Sequence, residues 1–144
     1  MALSKFRYGI ISAVAVVGVL AVAPQASAAT ATTGTTCAGS SECLILSYNS
    51  NQLNSYTAFR DGSIPNFAGY TFLSAAPGQG LPVKNNAASA ETTASSPWAS
   101  IFYNSGYSGA CDSIPPNGLV GKLHNTYNEN ASFNWTHPSS CYDF

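Results

Sequence analysis

Two short motifs occur twice in this chain, in the same order, and this repeat restricts the fold more than any other feature. Tyr48-Asn49-Ser50 recurs as Tyr103-Asn104-Ser105, each time after an apolar stretch. Asn85-Asn86-Ala87-Ala88-Ser89 recurs loosely as Asn128-Glu129-Asn130-Ala131-Ser132. Chance similarity in a chain rich in Asn and Ser is the alternative, but the shared order favours duplication. The repeat predicts two copies of one small β unit that pack together as one domain, because neither copy can bury its own face.

The hydrophobic pattern favours strands over helices. Apolar and aromatic residues alternate or cluster over short stretches, and no segment carries a sustained apolar stripe of helical period opposite charged residues. The predicted strands cover residues 43–48, 55–59, 98–103 and 132–135, the last of these being the final strand. Residues 67–72 form a further aromatic segment, and residues 74–82 form a loop rich in Gly and Pro. The predicted fold class is therefore all-β.

The first 28 residues predict a secretory signal peptide. Lys5 and Arg7 precede an apolar run, and the small residues Ala26-Ser27-Ala28 follow at the positions that a signal peptidase reads. The run is shorter than the roughly 20 residues that span a bilayer, which disfavours the alternative of a membrane anchor. We expect an exported protein with a flexible tail over residues 29–36 and one domain over residues 37–144.

Charged residues are scarce, which excludes several classes of protein. Only 8% of the 144 residues are charged, and the formal net charge is −1. A nucleic-acid-binding surface needs clustered basic residues that this chain lacks. The aromatic content of 12% also excludes a charge-rich disordered chain. We expect a monomeric extracellular domain that contacts neither nucleic acid nor membrane.

Four cysteines follow the signal segment, and export places them in an oxidising compartment. Four cysteines allow three pairings. We favour Cys37–Cys43, which closes a short local loop, together with Cys111–Cys141, which ties the tail to the middle of the chain. A zinc site is the alternative, but the spacing is irregular and contains no Cys-x-x-Cys pair. The sequence therefore predicts two disulfide bonds and no free thiol.

The repeated motifs resemble the βγ-crystallin Greek-key unit, in which an aromatic strand ends in Tyr-Asn-Ser and an Asn-Asn-x-x-Ser element closes the unit. The chain after residue 36 is similar to small secreted actinobacterial proteins grouped as βγ-crystallin-like peptidase inhibitors, whose named member inhibits a metalloproteinase. The similar stretches are 37–48, 69–72, 83–89, 103–105 and 125–132. The resemblance implies a sandwich of two Greek-key units and an inhibitor of secreted metallopeptidases.

One departure limits what the resemblance implies about inhibition. The characterised inhibitor carries its scissile bond in a short disulfide-closed loop between the two units. Here the corresponding region, residues 71–97, contains no cysteine, and the second cysteine pair spans a longer stretch instead. No reactive-site residue is therefore assigned. Without a disulfide, we expect the loop to be less ordered and inhibition to be weaker than in the characterised inhibitor, or absent.

The resemblance also implies a calcium site, because microbial βγ-crystallins bind calcium through paired Asn/Asp-Asn/Asp-x-x-Ser/Thr-Ser elements. The matching residues are Asn85, Asn86, Ser89, Asn128, Glu129 and Ser132. The last position of each element is Ala90 or Phe133 instead of Ser, and Glu129 is the one carboxylate. We expect no required cofactor and at most weak calcium binding, with a Kd of about 10⁻⁴ to 10⁻³ M. The alternative is that these Asn and Ser residues only cap turns.

Enzyme signatures are absent from the sequence. The chain has no Gly-x-Ser-x-Gly elbow and no His-Glu-x-x-His helix. His124 and His137 lie in polar or Pro-containing stretches typical of surface turns, although a Ser–His–Asp triad depends on geometry and stays open. We expect a protein that is not an enzyme. The aromatic residues predict mainly core, with Tyr107 exposed, and a glycan-binding platform is the alternative. A calcium-binding or structural extracellular protein without inhibitory activity is the alternative function.

Overall fold

The computed structural model describes residues 29–93 and 95–144. The predicted signal peptide, residues 1–28, lies outside the described residues. Strands form where short apolar or β-branched runs end in Gly, Asn or Pro, as expected for a chain with strand periodicity. They are β1 Thr32–Gly34, β2 Cys43–Ser47, β3 Tyr56–Arg60, β4 Ser89–Thr92, β5 Ala99–Asn104, β6 Ser108–Ile114, β7 Leu119–Val120, β8 Ser132–Asn134 and β9 Tyr142–Asp143. A 3₁₀ turn covers Ser50–Gln52.

These strands form two sheets. The first sheet has the order β1-β3-β2-β4-β7, and the second has the order β8-β5-β6-β9. Every pairing is antiparallel except that between β6 and β9, which is parallel. Within the described residues, no helix has the length and apolar character needed to cross a bilayer. The predicted all-β fold class is confirmed.

Each half of the chain contributes a segment to the sheet of the other half. Ile64, from the first half, exchanges two backbone hydrogen bonds of 3.0 Å with Phe133 in β8. In the second half, β7 pairs with β4 of the first sheet, with Val120 opposite Ala90. This exchange joins the two predicted β units through their backbones. Because each sheet contains residues from both halves, the two units form one domain.

The core lies between the two sheets. Side chains alternate along a strand, so Leu44 and Leu46 of β2 are fully buried while Ile45 between them is partly exposed. Phe59 of β3 lies 5.2 Å from Phe67 and 5.7 Å from Phe133, measured between ring centroids. These rings are buried completely, as predicted for most aromatic residues of the chain. These packed aromatic rings therefore form the centre of the core between the two sheets.

Two predictions about elements are wrong, and the predicted set also omits a strand. The tail over residues 29–36 includes β1, which pairs with β3 as an edge strand and thereby orders polar residues that bury little surface. Strand β6 was not predicted, because its exposed end is rich in small residues and gives no alternation signal. Residues 132–135 do not form the final strand, since β9 follows and pairs with β6. Pairing with a strand distant in sequence holds β1 and β9, whereas β6 also forms a hairpin with the preceding strand, β5.

Candidate functional site

Both predicted disulfide bonds are present. Cys37 is bonded to Cys43 at the start of β2, and Cys111 in β6 is bonded to Cys141 immediately before β9. The described residues contain no free cysteine. Disulfides persist in oxidising environments, so these bonds suggest an extracellular or similarly oxidising location. The first bond fixes the chain where it enters the first sheet. The second bond fixes the segment that forms β9, the parallel edge strand of the second sheet.

The two Asn-rich elements lie side by side across the centre of the molecule. The backbone N–H of Asn85 donates to the carbonyl of Asn130 at 2.8 Å, and the backbone N–H of Asn128 donates to the carbonyl of Ala87 at 2.9 Å. Asn85 and Asn128 both adopt positive φ angles, of 60° and 55°. Asn tolerates this left-handed conformation better than most residues. The repeat seen in the sequence is therefore a local two-fold relationship in the structure.

The serine that ends each element makes the same pair of hydrogen bonds. The Ser89 hydroxyl donates to the Asn49 carbonyl at 2.6 Å and accepts the backbone N–H of Gln52 at 3.1 Å. In the second half, the Ser132 hydroxyl donates to the Asn104 carbonyl at 2.7 Å and accepts the backbone N–H of Tyr107 at 3.1 Å. Each serine thus closes the turn that follows the Tyr-Asn-Ser motif of its own half.

These elements fit a tight calcium site poorly. Both serine hydroxyls already make two hydrogen bonds, and the amide of Asn130 is also engaged at both ends. The Asn86 side chain donates to the Lys84 carbonyl at 2.9 Å. Glu129 is exposed and is the one carboxylate of the predicted set. Calcium affinity rises with the number of charged ligands, and within residues 29–93 and 95–144 no three His, Cys, Asp or Glu residues cluster as a metal site.

Residues 73–82 form an exposed loop that is closed at its base by backbone pairing. Thr71 pairs with Pro82 as an isolated antiparallel bridge. Next to it, the N–H of Phe72 donates to the Leu81 carbonyl at 3.0 Å, and the N–H of Gly80 donates to the Phe72 carbonyl at 2.9 Å. Two tight turns inside the loop are closed by bonds from Gln79 and from Leu81. Backbone hydrogen bonds therefore close this loop at its base.

Strand β3 and the segment before it anchor one side of this loop. Ser55 donates its backbone N–H to the Pro77 carbonyl at 3.0 Å and its hydroxyl to the Ser74 carbonyl at 2.7 Å. The backbone N–H of Tyr56 donates to the Ser74 hydroxyl at 2.8 Å. Gly78, at a φ of 95°, lies so close to the Tyr48 ring that an added Cβ would come within 2.6 Å of it. The loop is therefore ordered by many contacts.

Two apolar side chains of the loop point away from the core. Leu73 is 38% exposed and Leu81 is 43% exposed, and they flank the fully buried Phe72. Residues 71–97, in which a less ordered loop was expected, do not form one continuous loop, because β4 occupies part of that stretch. The segment between the two halves is shorter, and the Ser96 hydroxyl anchors it by accepting the Cys43 N–H at 3.0 Å. No sequence pattern identifies Ser55 and Ser74 as anchors of the loop, because serine is common throughout the sequence.

Both histidines lie at the surface, as predicted. His137 stacks on Trp98 at a centroid distance of 3.8 Å, and its Nε2 atom lies 2.9 Å from the Asp143 carboxylate. His124 stacks on Tyr142 at 4.1 Å, and its Nδ1 atom lies 3.1 Å from the Asn125 side-chain oxygen. In these contacts the two rings serve as stacking partners.

Tyr107 is not exposed as predicted. It is partly buried beside Phe102, at a centroid distance of 6.2 Å, and Tyr103 is the exposed tyrosine of this region. The Tyr107 hydroxyl is buried and has no hydrogen-bond partner among the described residues. Burial raises the pKa of this hydroxyl, because the charged phenolate loses more solvation than the neutral form.

Comparison with known proteins supports the fold alone. A scan against models of protein families finds no match, and a search of curated proteins finds none either. One solved structure, described as "Evolution of the eye lens beta-gamma-crystallin domain fold", matches with a TM-score of 0.54 at 14% sequence identity. The match covers 72% of this chain and 94% of the other. The chain therefore has a βγ-crystallin-like fold, and its function has to be argued from its own surface.

Proposed function

We propose that this protein is a secreted inhibitor of an extracellular metallopeptidase and that it binds the enzyme through residues 73–82. The observation that carries the proposal is that this loop is exposed and yet fixed by hydrogen bonds at its base and along one side. A loop that is ordered before binding loses little conformational entropy when it enters a cleft. The metallopeptidase class is taken from the resemblance of the repeated motifs to βγ-crystallin-like peptidase inhibitors.

Leu73 and Leu81 are the proposed contact residues. Both are more than one-third exposed in a loop that contains no charged residue. Apolar side chains that enter an enzyme pocket lose contact with water, and burying a leucine side chain contributes about 1.5–3 kcal/mol. The loop contains turns and is not fully extended, so we propose that it blocks the cleft by filling it, not by lying in it as a substrate does.

The experiment is a panel of secreted peptidases, including thermolysin-like enzymes, assayed with the purified protein at micromolar concentration. We expect inhibition of at least one metallopeptidase. The double variant Leu73→Ser/Leu81→Ser should raise the inhibition constant at least about tenfold, which corresponds to about 1.4 kcal/mol. The matched control is Leu119→Ser, because Leu119 is 68% exposed on β7 and lies outside the loop.

A second variant tests whether loop order matters. Gly78→Ala keeps both leucines but forces the loop away from the Tyr48 ring. We expect weaker inhibition with an unchanged far-ultraviolet circular dichroism spectrum. If no enzyme of the panel is inhibited, the proposal fails, and a structural or weakly calcium-binding extracellular protein is the better description. If the leucine variants inhibit as strongly as the original protein, the proposed contact loop is wrong.

A further inference from the structure

A second surface, independent of the 73–82 loop, has the construction of a ligand site. It is a pocket of about 520 Å³. Binding sites for small ligands commonly enclose about 300–1,000 Å³. The lining residues lie in the segment that follows β7 and in or directly after β9, and four of the six carry rings: Lys122, Leu123, His124, Tyr127, Tyr142 and Phe144. We call this surface the aromatic pocket.

Asp112 holds one wall of the aromatic pocket in place. This residue of β6 is fully buried, and its carboxylate accepts the backbone N–H groups of three successive residues, His124 at 3.2 Å, Asn125 at 2.9 Å and Thr126 at 2.9 Å. The Thr126 hydroxyl also donates to it, at 2.7 Å. Hydrogen bonds to a charged acceptor are stronger than those between neutral groups. The segment that carries His124 is therefore fixed from beneath.

The neighbouring residue, Cys111, holds the opposite wall. Its disulfide bond to Cys141 fixes the chain directly before Tyr142, and β9 pairs with β6 with Tyr142 opposite Asp112. The rings from the two walls meet, because Tyr142 stacks on His124 with an interplanar angle of 14°. Phe144 packs edge-on against Tyr142 at 5.0 Å. Cys111 and Asp112, which are consecutive residues in the buried part of β6, thus position both sides of the pocket.

The rings of the pocket keep much of their surface in contact with solvent. Tyr142 is 44% exposed, Phe144 is 39% exposed and Tyr127 is 37% exposed, while the phenylalanines of the core are fully buried. A group of exposed aromatic rings on a fixed scaffold is typical of a binding surface. Ordering the surface before binding also lowers the entropic cost of taking up a ligand.

The chemistry of the lining selects the class of ligand. The Lys122 ammonium lies 4.8 Å from the centre of the Tyr127 ring, so a cation already occupies one aromatic face and disfavours a cationic ligand. A sugar ring presents C–H groups on its faces and hydroxyl groups around its rim. It therefore matches exposed aromatic rings that are bordered by an ammonium, an imidazole and phenol hydroxyls. We propose that the aromatic pocket binds an oligosaccharide of an extracellular polysaccharide.

Retention on insoluble polysaccharides tests this proposal. The purified protein is incubated with cellulose, chitin or peptidoglycan, and the bound fraction is measured as a function of protein concentration. We expect saturable retention on at least one of the three, with competition by the matching soluble oligosaccharide. Absence of retention on all three, or retention that the oligosaccharide does not reduce, overturns the proposal.

Two variants locate the binding surface. Tyr142→Ala should weaken retention about tenfold, the size expected for one aromatic stacking contact, whereas Tyr142→Phe keeps the ring and should retain binding. Tyr103→Ala is the matched control, because Tyr103 is also 44% exposed but lies on β5 outside the pocket. Equal losses in the Tyr142→Ala and Tyr103→Ala variants, or in the Tyr142→Ala and Tyr142→Phe variants, contradict stacking on Tyr142. Circular dichroism spectra and melting temperatures confirm that each variant is folded.

Discussion

The side-chain oxygen of Asn130 accepts the backbone N–H of Ala87 at 3.0 Å, and these two residues occupy the same position in the two Asn-rich elements. The Asn130 amide also donates to the Val83 carbonyl at 3.0 Å. Asn130 and Ala87 are both fully buried. The two-fold relationship of the halves is therefore broken at this position. The second half supplies the amide side chain of Asn130, whereas the first half supplies only the methyl group and the backbone N–H of Ala87.

Asn130→Ala should destabilise the protein by about 2–3 kcal/mol, because the buried Ala87 N–H then has no partner. The measurement is denaturant unfolding, followed by circular dichroism. Asn49→Ala is the control, since Asn49 is exposed and its side chain makes no capping hydrogen bond. It should change the free energy of unfolding by no more than about 0.5 kcal/mol. Similar losses in both variants contradict the role assigned to Asn130.

The repeat and the short apolar run of β2 were sufficient to predict the fold class. Leu44, Ile45 and Leu46 are all apolar, so the run indicates a strand but not which face is buried, and the structure leaves Ile45 partly exposed. Strands β1 and β6 could not be predicted in this way. Their ends carry small and polar residues that give no alternation signal. Strand β1 is ordered by backbone pairing with the distant β3, and β6 is ordered by a hairpin with the preceding β5 and by pairing with β9.

The two candidate surfaces were predicted incompletely for the same reason. The cysteine pairing Cys111–Cys141 could be inferred from the sequence, but the stacking of His124 on Tyr142 depends on the parallel pairing of β9 with β6. A loop over residues 74–82 was predicted from its Gly and Pro content. Its order was not, because Ser55 and Ser74 are ordinary residues in a serine-rich chain and their partners are backbone groups.

Removal of each disulfide should have unequal effects on stability. In the chain-entropy account, the cost rises with the length of the closed loop. Cys111 and Cys141 are 30 residues apart and Cys37 and Cys43 only 6 apart. We expect losses of about 4 kcal/mol for Cys111→Ser/Cys141→Ser and about 2 kcal/mol for Cys37→Ser/Cys43→Ser. Thermal and denaturant unfolding of the two double variants measure the difference, and a larger loss from the shorter loop contradicts the expectation.

Tyr107 should give the protein a specific sensitivity to alkaline pH. Its pKa is raised by burial in the folded protein, so the unfolded chain loses the phenolic proton first as the pH rises past about 10. Ionisation of this residue therefore leaves the free energy of unfolding unchanged below that pH and lowers it above that pH. Tyr107→Phe should lose less stability than the original protein between neutral pH and about pH 11.

Tyr107→Phe should also be about 1 kcal/mol more stable at neutral pH, because it removes a buried hydroxyl without a partner. Urea unfolding at pH 7 and at alkaline pH measures both effects. Tyr103→Phe provides the control, since Tyr103 is 44% exposed and should give the pH dependence of the original protein. An unchanged alkaline loss in Tyr107→Phe shows that other groups cause it.

Calcium should bind weakly, if it binds at the paired elements at all, because Ser89, Ser132 and Asn130 are already hydrogen-bonded to backbone groups. We expect calorimetric titration of the metal-free protein to give a Kd no lower than about 10⁻⁴ M. Any binding heat should be lost in Glu129→Ala and kept in Glu91→Ala, since Glu129 supplies the one carboxylate of the two elements and Glu91 lies outside them on β4. A micromolar Kd contradicts the argument that the hydrogen bonds of Ser89 and Ser132 prevent tight calcium binding. Binding that persists unchanged in Glu129→Ala places the calcium site elsewhere.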